Sequence, residues 1–324
     1  MGNTDKQVKA YFKLAQNEVA EQLHTLETKI APVAKRNRAH CILSKKIYKD
    51  AFKKIASIAT ELLHRFPHDN IVCLGRSPMW AVEAAHLIKK YDKTKKIKAN
   101  FQYCAFSGCF YDLKNNQYQH SETTPSVEQI HAYRDYLTKN KLDPQYIIKA
   151  HKNGQKTIFV EYIQSGRGLI SFLSILLNWA NELNIKNALI QSLHLHLLVA
   201  QPSIAVLIGK QNTSPLLDEN CINYQGIPIT KHALPRRFIG GADIYPKGKE
   251  KIEKNKEYIA GLSFIDRYFD DSTPGTTFSY KEWGNITPVK LGETYSELAK
   301  LIRFAIIDEL AKQNLVHKKS IFKF

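Results

Sequence analysis

The sequence predicts an α/β fold: a mainly parallel sheet flanked by helices, with N-terminal helices before it and a C-terminal helical extension after it. Three observations predict it. Short β-prone runs alternate with helix-length amphipathic segments from about residue 70 onward. Two of those runs end in glycine-containing turns that lead straight into helices. The chain of 324 residues is 44% apolar, enough to cover both faces of such a sheet.

The elements follow in order. Val8, Phe12, Leu14, Val19, Leu23 and Leu26 recur at helical spacing between Asp5 and Ile30, and Pro32 with the basic stretch Lys35 to Arg38 ends that helix. A second helix is expected from about Ser44 to Phe66. Asn70 to Leu74 reads as a strand, Gly75 to Pro78 as a turn and Met79 to Lys90 as a helix. Ile97 to Phe110 is aromatic and β-prone, Asn115 to Pro125 is expected to be a mobile loop, and Ser126 to Lys139 to be a helix. Lys156 to Val160 forms the next strand, Glu161 to Gly168 a loop, Leu169 to Leu183 an apolar helix, and Ala188 to Leu193 a further strand. Ile204 to Ile208 and Phe238 to Ile239 are candidate later strands, and a last helix is expected from about Thr294 to Gln313. The chain then divides into an N-terminal helical region (1–66), an α/β domain (67–245) and an extension packing on the core (246–324).

Composition narrows the function classes. No leader-like apolar segment and no run of about 18 uncharged apolar residues is present, so no membrane span is expected. Cys41, Cys73, Cys104, Cys109 and Cys221 are odd in number, spread out and without a CxxC pair; a reducing cytoplasmic setting fits them better than a disulfide framework or a zinc ribbon. The net charge of +17 favours polyanionic partners such as nucleotides, phosphorylated sugars or nucleic acid. It does not choose among them, because many of the lysines belong to solvated helical faces such as Lys45 to Lys54.

The chemistry concentrates in the run Thr157-Ile158-Phe159-Val160, Glu161-Tyr162-Ile163-Gln164, then Ser165-Gly166-Arg167-Gly168 and a helix from Leu169. A strand that delivers a small-residue loop to a helix N-terminus presents unpaired backbone N–H groups, and these with the helix dipole form an anion site. Ser165 adds a hydroxyl and Arg167 a charged fork. There is no GxxxxGK[ST] and no GxGxxG after a strand, which excludes the Walker A and dinucleotide fingerprints.

Strand, acidic residue, Ser-Gly, second Gly and helix together resemble the phosphoribosyl pyrophosphate (PRPP) motif of type I phosphoribosyltransferases, most closely the hypoxanthine-guanine branch. The resemblance covers about Asn70 to Tyr245. It implies that Gln164, Ser165, Gly166, Arg167, Gly168 and Leu169 hold a 5′-phosphate and that Glu161 and Tyr162 occupy the acidic pair's catalytic positions. Gly75-Arg76-Ser77 resembles the family's pyrophosphate loop, and Phe238 and Asp243 its base-end segment. Tyr162 stands where the family has a second acid, and the linker to Ser-Gly is one residue shorter.

The resemblance implies Mg²⁺-dependent transfer of ribose 5-phosphate from PRPP to a nucleobase or related acceptor; a homodimer is compatible with this, and the sequence does not fix the oligomeric state. The Tyr162 departure motivates an alternative: a non-catalytic regulatory protein that binds a nucleotide or phosphosugar. A basic nucleic-acid-binding protein is a second alternative. His194-Leu195-His196 puts two imidazoles on one strand face without a third ligand in view, and Asp270-Asp271 reads as a solvated turn; no metal ligand is assigned.

Overall fold

The computed structural model describes residues 45–75, 78–92, 94–106, 111–112, 117–118, 125–163, 166–200, 216, 218, 220–234 and 297–316. In chain order the elements are α1 (Lys45–Arg65), β1 (Asn70–Leu74), α2 (Met79–Tyr91), β2 (Asn100–Cys104), β3 (Tyr111–Asp112), β4 (Gln117–Tyr118), α3 (Val127–Lys139) and α4 (Pro144–Lys152). There follow β5 (Thr157–Ile163), α5 (Arg167–Glu182), α6 (Lys186–Ser192), β6 (Leu193–Ala200), β7 (Asn223–Tyr224), β8 (Ile227–Leu234) and α7 (Glu297–Lys312).

Six strands form one sheet in the order β2-β1-β5-β6-β8-β7, and β3 pairs with β4 separately. Every pairing from β2 to β8 is parallel, and only the two-residue β7 runs antiparallel to its neighbour. The α/β class, with a mostly parallel sheet, is therefore present. The chain leaves β1 towards β2 on one side and returns as β5 on the other, so the order reverses between β1 and β5. Crevices at the carboxyl ends of strands flanking such a reversal are where ligands bind in open α/β sheets.

Register decides which helix covers which face. Ile158 and Val160 of β5 lie opposite His194 and His196 of β6, and both histidines meet Phe66 beyond the end of α1. The alternate residue Phe159 packs edge-on against Phe172 of α5 at 4.9 Å between ring centroids. Period-two alternation thus gives α1 and α5 opposite faces of the sheet. α2 packs on α1, β1 and β2, and α7 packs on α1 and α2. The β-strands are nearly continuous apolar runs because both faces are covered: Ile71, Val72, Cys73 and Leu74 are all buried.

Local chemistry sets several boundaries. Ser126 caps α3 in a capping box with Gln129, and Asp143 caps α4 ahead of Pro144 at its first turn. The β7–β8 hairpin turns through Gln225 and Gly226, both at positive φ (50° and 86°), as a two-residue turn between twisted strands requires.

Three expectations are corrected, and α4 and β8 are elements the sequence did not suggest. The strand expected to end at Val160 continues to Ile163, so Glu161 and Tyr162 are strand residues rather than loop residues. The segment 188–193 expected as a strand is mostly helix α6, and β6 starts at Leu193 with no intervening loop. Gln117 and Tyr118, placed in an expected mobile loop, pair with Asp112 and Tyr111. The helix from Asp5 to Ile30, the candidate strands at 204–208 and 238–239, and Asp270-Asp271 lie outside the described residues.

Candidate functional site

Both glycine turns singled out in the sequence leave the sheet at its reversal point, one from β1 and one from β5. Gly75 has φ +69°, the left-handed region that favours glycine, and its N–H donates to Cys104 O at 2.8 Å. A Cβ at Gly75 would lie 3.4 Å from the Phe106 carbonyl oxygen and 3.8 Å from Glu161 Oε2. Those are ordinary contact distances, so the backbone conformation rather than crowding calls for glycine, and the β1 turn lies beside the Glu161 carboxylate. Two motifs some 85 residues apart in sequence, by the numbers of Gly75 and Glu161, become neighbours at the carboxyl edge.

On the β5 side, Gly166 precedes α5 at φ +73° and has no side chain with which to cap it. The first-turn N–H groups of Arg167, Gly168 and Leu169 lack intrahelical acceptors, no acidic residue occupies that turn, and the space beside Gly168 is open to 4 Å. A 16-residue helix thus presents its positive end beside the crevice. The N-terminal half of α5 is anchored by Leu169, Ile170, Phe172, Leu173 and Leu176, all buried.

The floor of the crevice is held by two tyrosines. Tyr136 OH accepts the Ala105 N–H at 2.9 Å, and Tyr133 OH donates to Ala105 O at 2.8 Å. Their rings stack at 5.5 Å. Burial pushes both phenols up and the Cys104 thiol up to about 12, so all three are neutral and serve packing and hydrogen bonding rather than proton transfer. Tyr136→Phe leaves the buried Ala105 N–H without its partner. The expected loss is about 1–3 kcal/mol of stability, read from urea unfolding midpoints, and an unchanged midpoint would contradict this role.

The structure brings together Gly75, Glu161, Gly166, Gly168 and Leu169 along one edge. Tyr162 does not join them: strand alternation turns it to the face opposite Glu161, where it is 9% exposed. Arg76, Ser77, Gln164, Ser165, Phe238 and Asp243, and the side chain of Arg167, lie outside the described residues.

His194 and His196 do share a strand face, as expected. The Thr230 hydroxyl lies 3.1 Å from His194 Nε2 and 2.9 Å from His196 Nδ1, and His232 Nδ1 contacts Glu61 Oε2. Among the described residues, no group of three or more His, Cys, Asp or Glu side chains is able to hold a metal ion. The sequence carried no signal for the partners Glu61, Thr230 and His232, which come from elements far away along the chain. Among the described residues no helix is long and apolar enough to cross a membrane. No protein-family model matches the chain, and no curated protein matches it.

Proposed function

We propose that the chain is a phosphoribosyltransferase-like protein that binds PRPP at the carboxyl edge of β1 and β5 and transfers ribose 5-phosphate to a nucleobase-type acceptor. The approach of Glu161 Oε2 to within 3.8 Å of a Cβ position at Gly75 carries this reading, because it joins a candidate diphosphate turn to a candidate phosphate cradle. The free amides at the start of α5 would hold the 5′-phosphate. Glu161 would accept hydrogen bonds from the ribose hydroxyls, and its negative charge would favour the positive charge that grows at the anomeric carbon as pyrophosphate departs. The sheet order, with its reversal beside both turns, supports a phosphoribosyltransferase-like fold.

Mg²⁺ belongs to this reading only as a companion of the substrate. Among the described residues the crevice contributes Glu161 and no clustered ligand set, which does not make a resident cage; a hard cation would keep its water and diphosphate oxygens. A second reading, nucleotide or phosphosugar binding without transfer, is favoured by one observation. The position next to Glu161 carries a buried phenol facing away from the crevice, so a single carboxylate remains there.

The test is PRPP consumption and pyrophosphate release with Mg²⁺ and a panel of bases, alongside thermal unfolding with PRPP. At a hundredfold excess over Kd, binding adds about 2.7 kcal/mol, a rise in Tm of roughly 4 °C for a chain of this size. The rise disappears in Gly166→Asp, which sets a carboxylate against the cradle. Tyr162→Phe leaves turnover unchanged. Stabilisation without turnover selects the binding reading, and absence of both overturns the proposal.

A further inference from the structure

Three imidazoles lie on the sheet face that α1 covers. β6 supplies His194 and His196; β8, whose Thr230 stands opposite His196, supplies His232 two residues further on. The end of α1 closes over them. The Phe66 ring meets those of His194 and His196 edge-on at 5.0 and 5.7 Å between centroids, and the Glu61 carboxylate contacts His232 Nδ1. His196 is 0% exposed and His232 8%.

The hydrogen bonding of this set has no place for an added proton. The Thr230 hydroxyl lies between His194 Nε2 and His196 Nδ1; with a single hydrogen, it donates to one ring and accepts from the other. His196 Nε2 and His232 Nε2 are buried and have no hydrogen-bond partner. An imidazolium carries a donor on both nitrogens. Charging His196 or His232 therefore leaves a buried cationic N–H without an acceptor, a costly state.

The surrounding charges add to that cost. Lys54 and Arg65 of α1 and Lys156 at the start of β5 face the set. Glu61 faces it too, but shares its carboxylate with Arg65, whose Nε donates to Oε1 at 2.8 Å. Burial holds His196 down at about 3 and His194 at about 4, and it also lowers His232.

The chain just past α1 is pinned to the sheet. Pro67 O accepts the N–H groups of Lys98 and Ala99, each at 2.8 Å, and Asp69 O accepts that of Asn100 at 2.9 Å. Asp69 Oδ1 accepts the Lys156 N–H at 2.9 Å.

We infer that the end of α1, Glu61 to Phe66, is an acid-released latch: protonation of the imidazoles beneath it lifts it from the β6–β8 face about the pinned Pro67, while the sheet stays paired. In the open state these rings titrate near 6.5. Opening therefore takes up protons and grows as pH falls below that value. Between pH 7 and pH 5 it rises about 25-fold for each of His194 and His196.

Hydrogen exchange of the full chain at pH 7 and pH 5, corrected for the intrinsic pH dependence of exchange, tests this. Amides of Leu62 to Phe66 open more readily than those of Phe172 to Leu177 in α5 on the opposite face, and respond only weakly to sub-denaturing urea. Their opening gains about a hundredfold or more on acidification. His196→Gln, whose side chain forms hydrogen bonds but takes no proton, removes about 25-fold of that gain. His194→Gln does the same at a partly exposed ring, so the test stands even where the buried variant does not fold. The inference is overturned if the gain is below about tenfold, or if either glutamine variant that folds keeps the whole of it. It is also overturned if the α1 and α5 amides share one opening constant and one urea slope, which is unfolding of the whole chain.

Discussion

Arg303→Ala is expected to remove about 3–5 kcal/mol of stability, the loss typical of breaking a buried ion pair on one side. Arg303 Nε donates to Glu83 Oε1 at 2.8 Å, and the two side chains are only 5% and 3% exposed. The pair ties α7 to α2 across 220 residues of sequence. Deleting the guanidinium takes this hydrogen bond and its charge away from a Glu83 carboxylate that is only 2% exposed. Urea unfolding followed by circular dichroism should show a lower midpoint. The double variant Glu83→Leu with Arg303→Met should recover much of the loss, because both desolvation penalties vanish together. A single-variant loss below about 1 kcal/mol would show that α7 is held by its apolar residues alone.

The second large effect is on pH dependence. Burial lowers the His196 imidazole to about 3 and, with Lys156 and Arg65 nearby, His194 to about 4. Burial also lowers His232, with Glu61 opposing, and the His232 and Arg65 contacts hold Glu61 below the usual carboxylate range against its own burial. In the unfolded chain these imidazoles titrate near 6.5. Between that value and 3–4 the unfolded state binds more protons than the folded one, so stability is complete above about pH 6.5 and falls as pH drops through the window. His196, the more deeply buried of the two, accounts on its own for a loss of about 3 kcal/mol by pH 4. Carboxylates titrate there too, so the comparison is with His196→Gln, which shares them. Its stability should depend less steeply on pH between 6.5 and 4, and an identical slope would place the sensitivity elsewhere.

What the sequence revealed and what it hid follow from the range of the interactions. β1, α2 and α3 were legible because their signals are local: an apolar run closed by Gly75, and a Ser126 cap followed by Gln129. The β6 boundary was not, since α6 passes into the strand at Leu193 without a glycine or proline, and Gln191 and Ser192 stay helical. β8 carries Pro228, Lys231 and His232 among its apolar residues and owes its strand state to pairing with β6 and β7. The glycines of the crevice were visible as turn chemistry. Their convergence was not, because it depends on strand order, and neither were the Glu61–His232 and Glu83–Arg303 pairs, set by helix packing over 171 and 220 residues. The opposite facing of Glu161 and Tyr162 needed only the knowledge that β5 runs on to Ile163.

The peptide of Ala105, gripped at both its N–H and its carbonyl by Tyr136 and Tyr133, lies just past the end of β2 and one residue before the Phe106 carbonyl that faces Gly75. Its amide proton should therefore exchange with solvent as slowly as those of the central strands. The crevice thereby contains its own slow-exchanging spectroscopic reporter. A ligand that enters between Gly75 and Glu161 should register as a change in the chemical shift of that single amide, whether or not it is turned over.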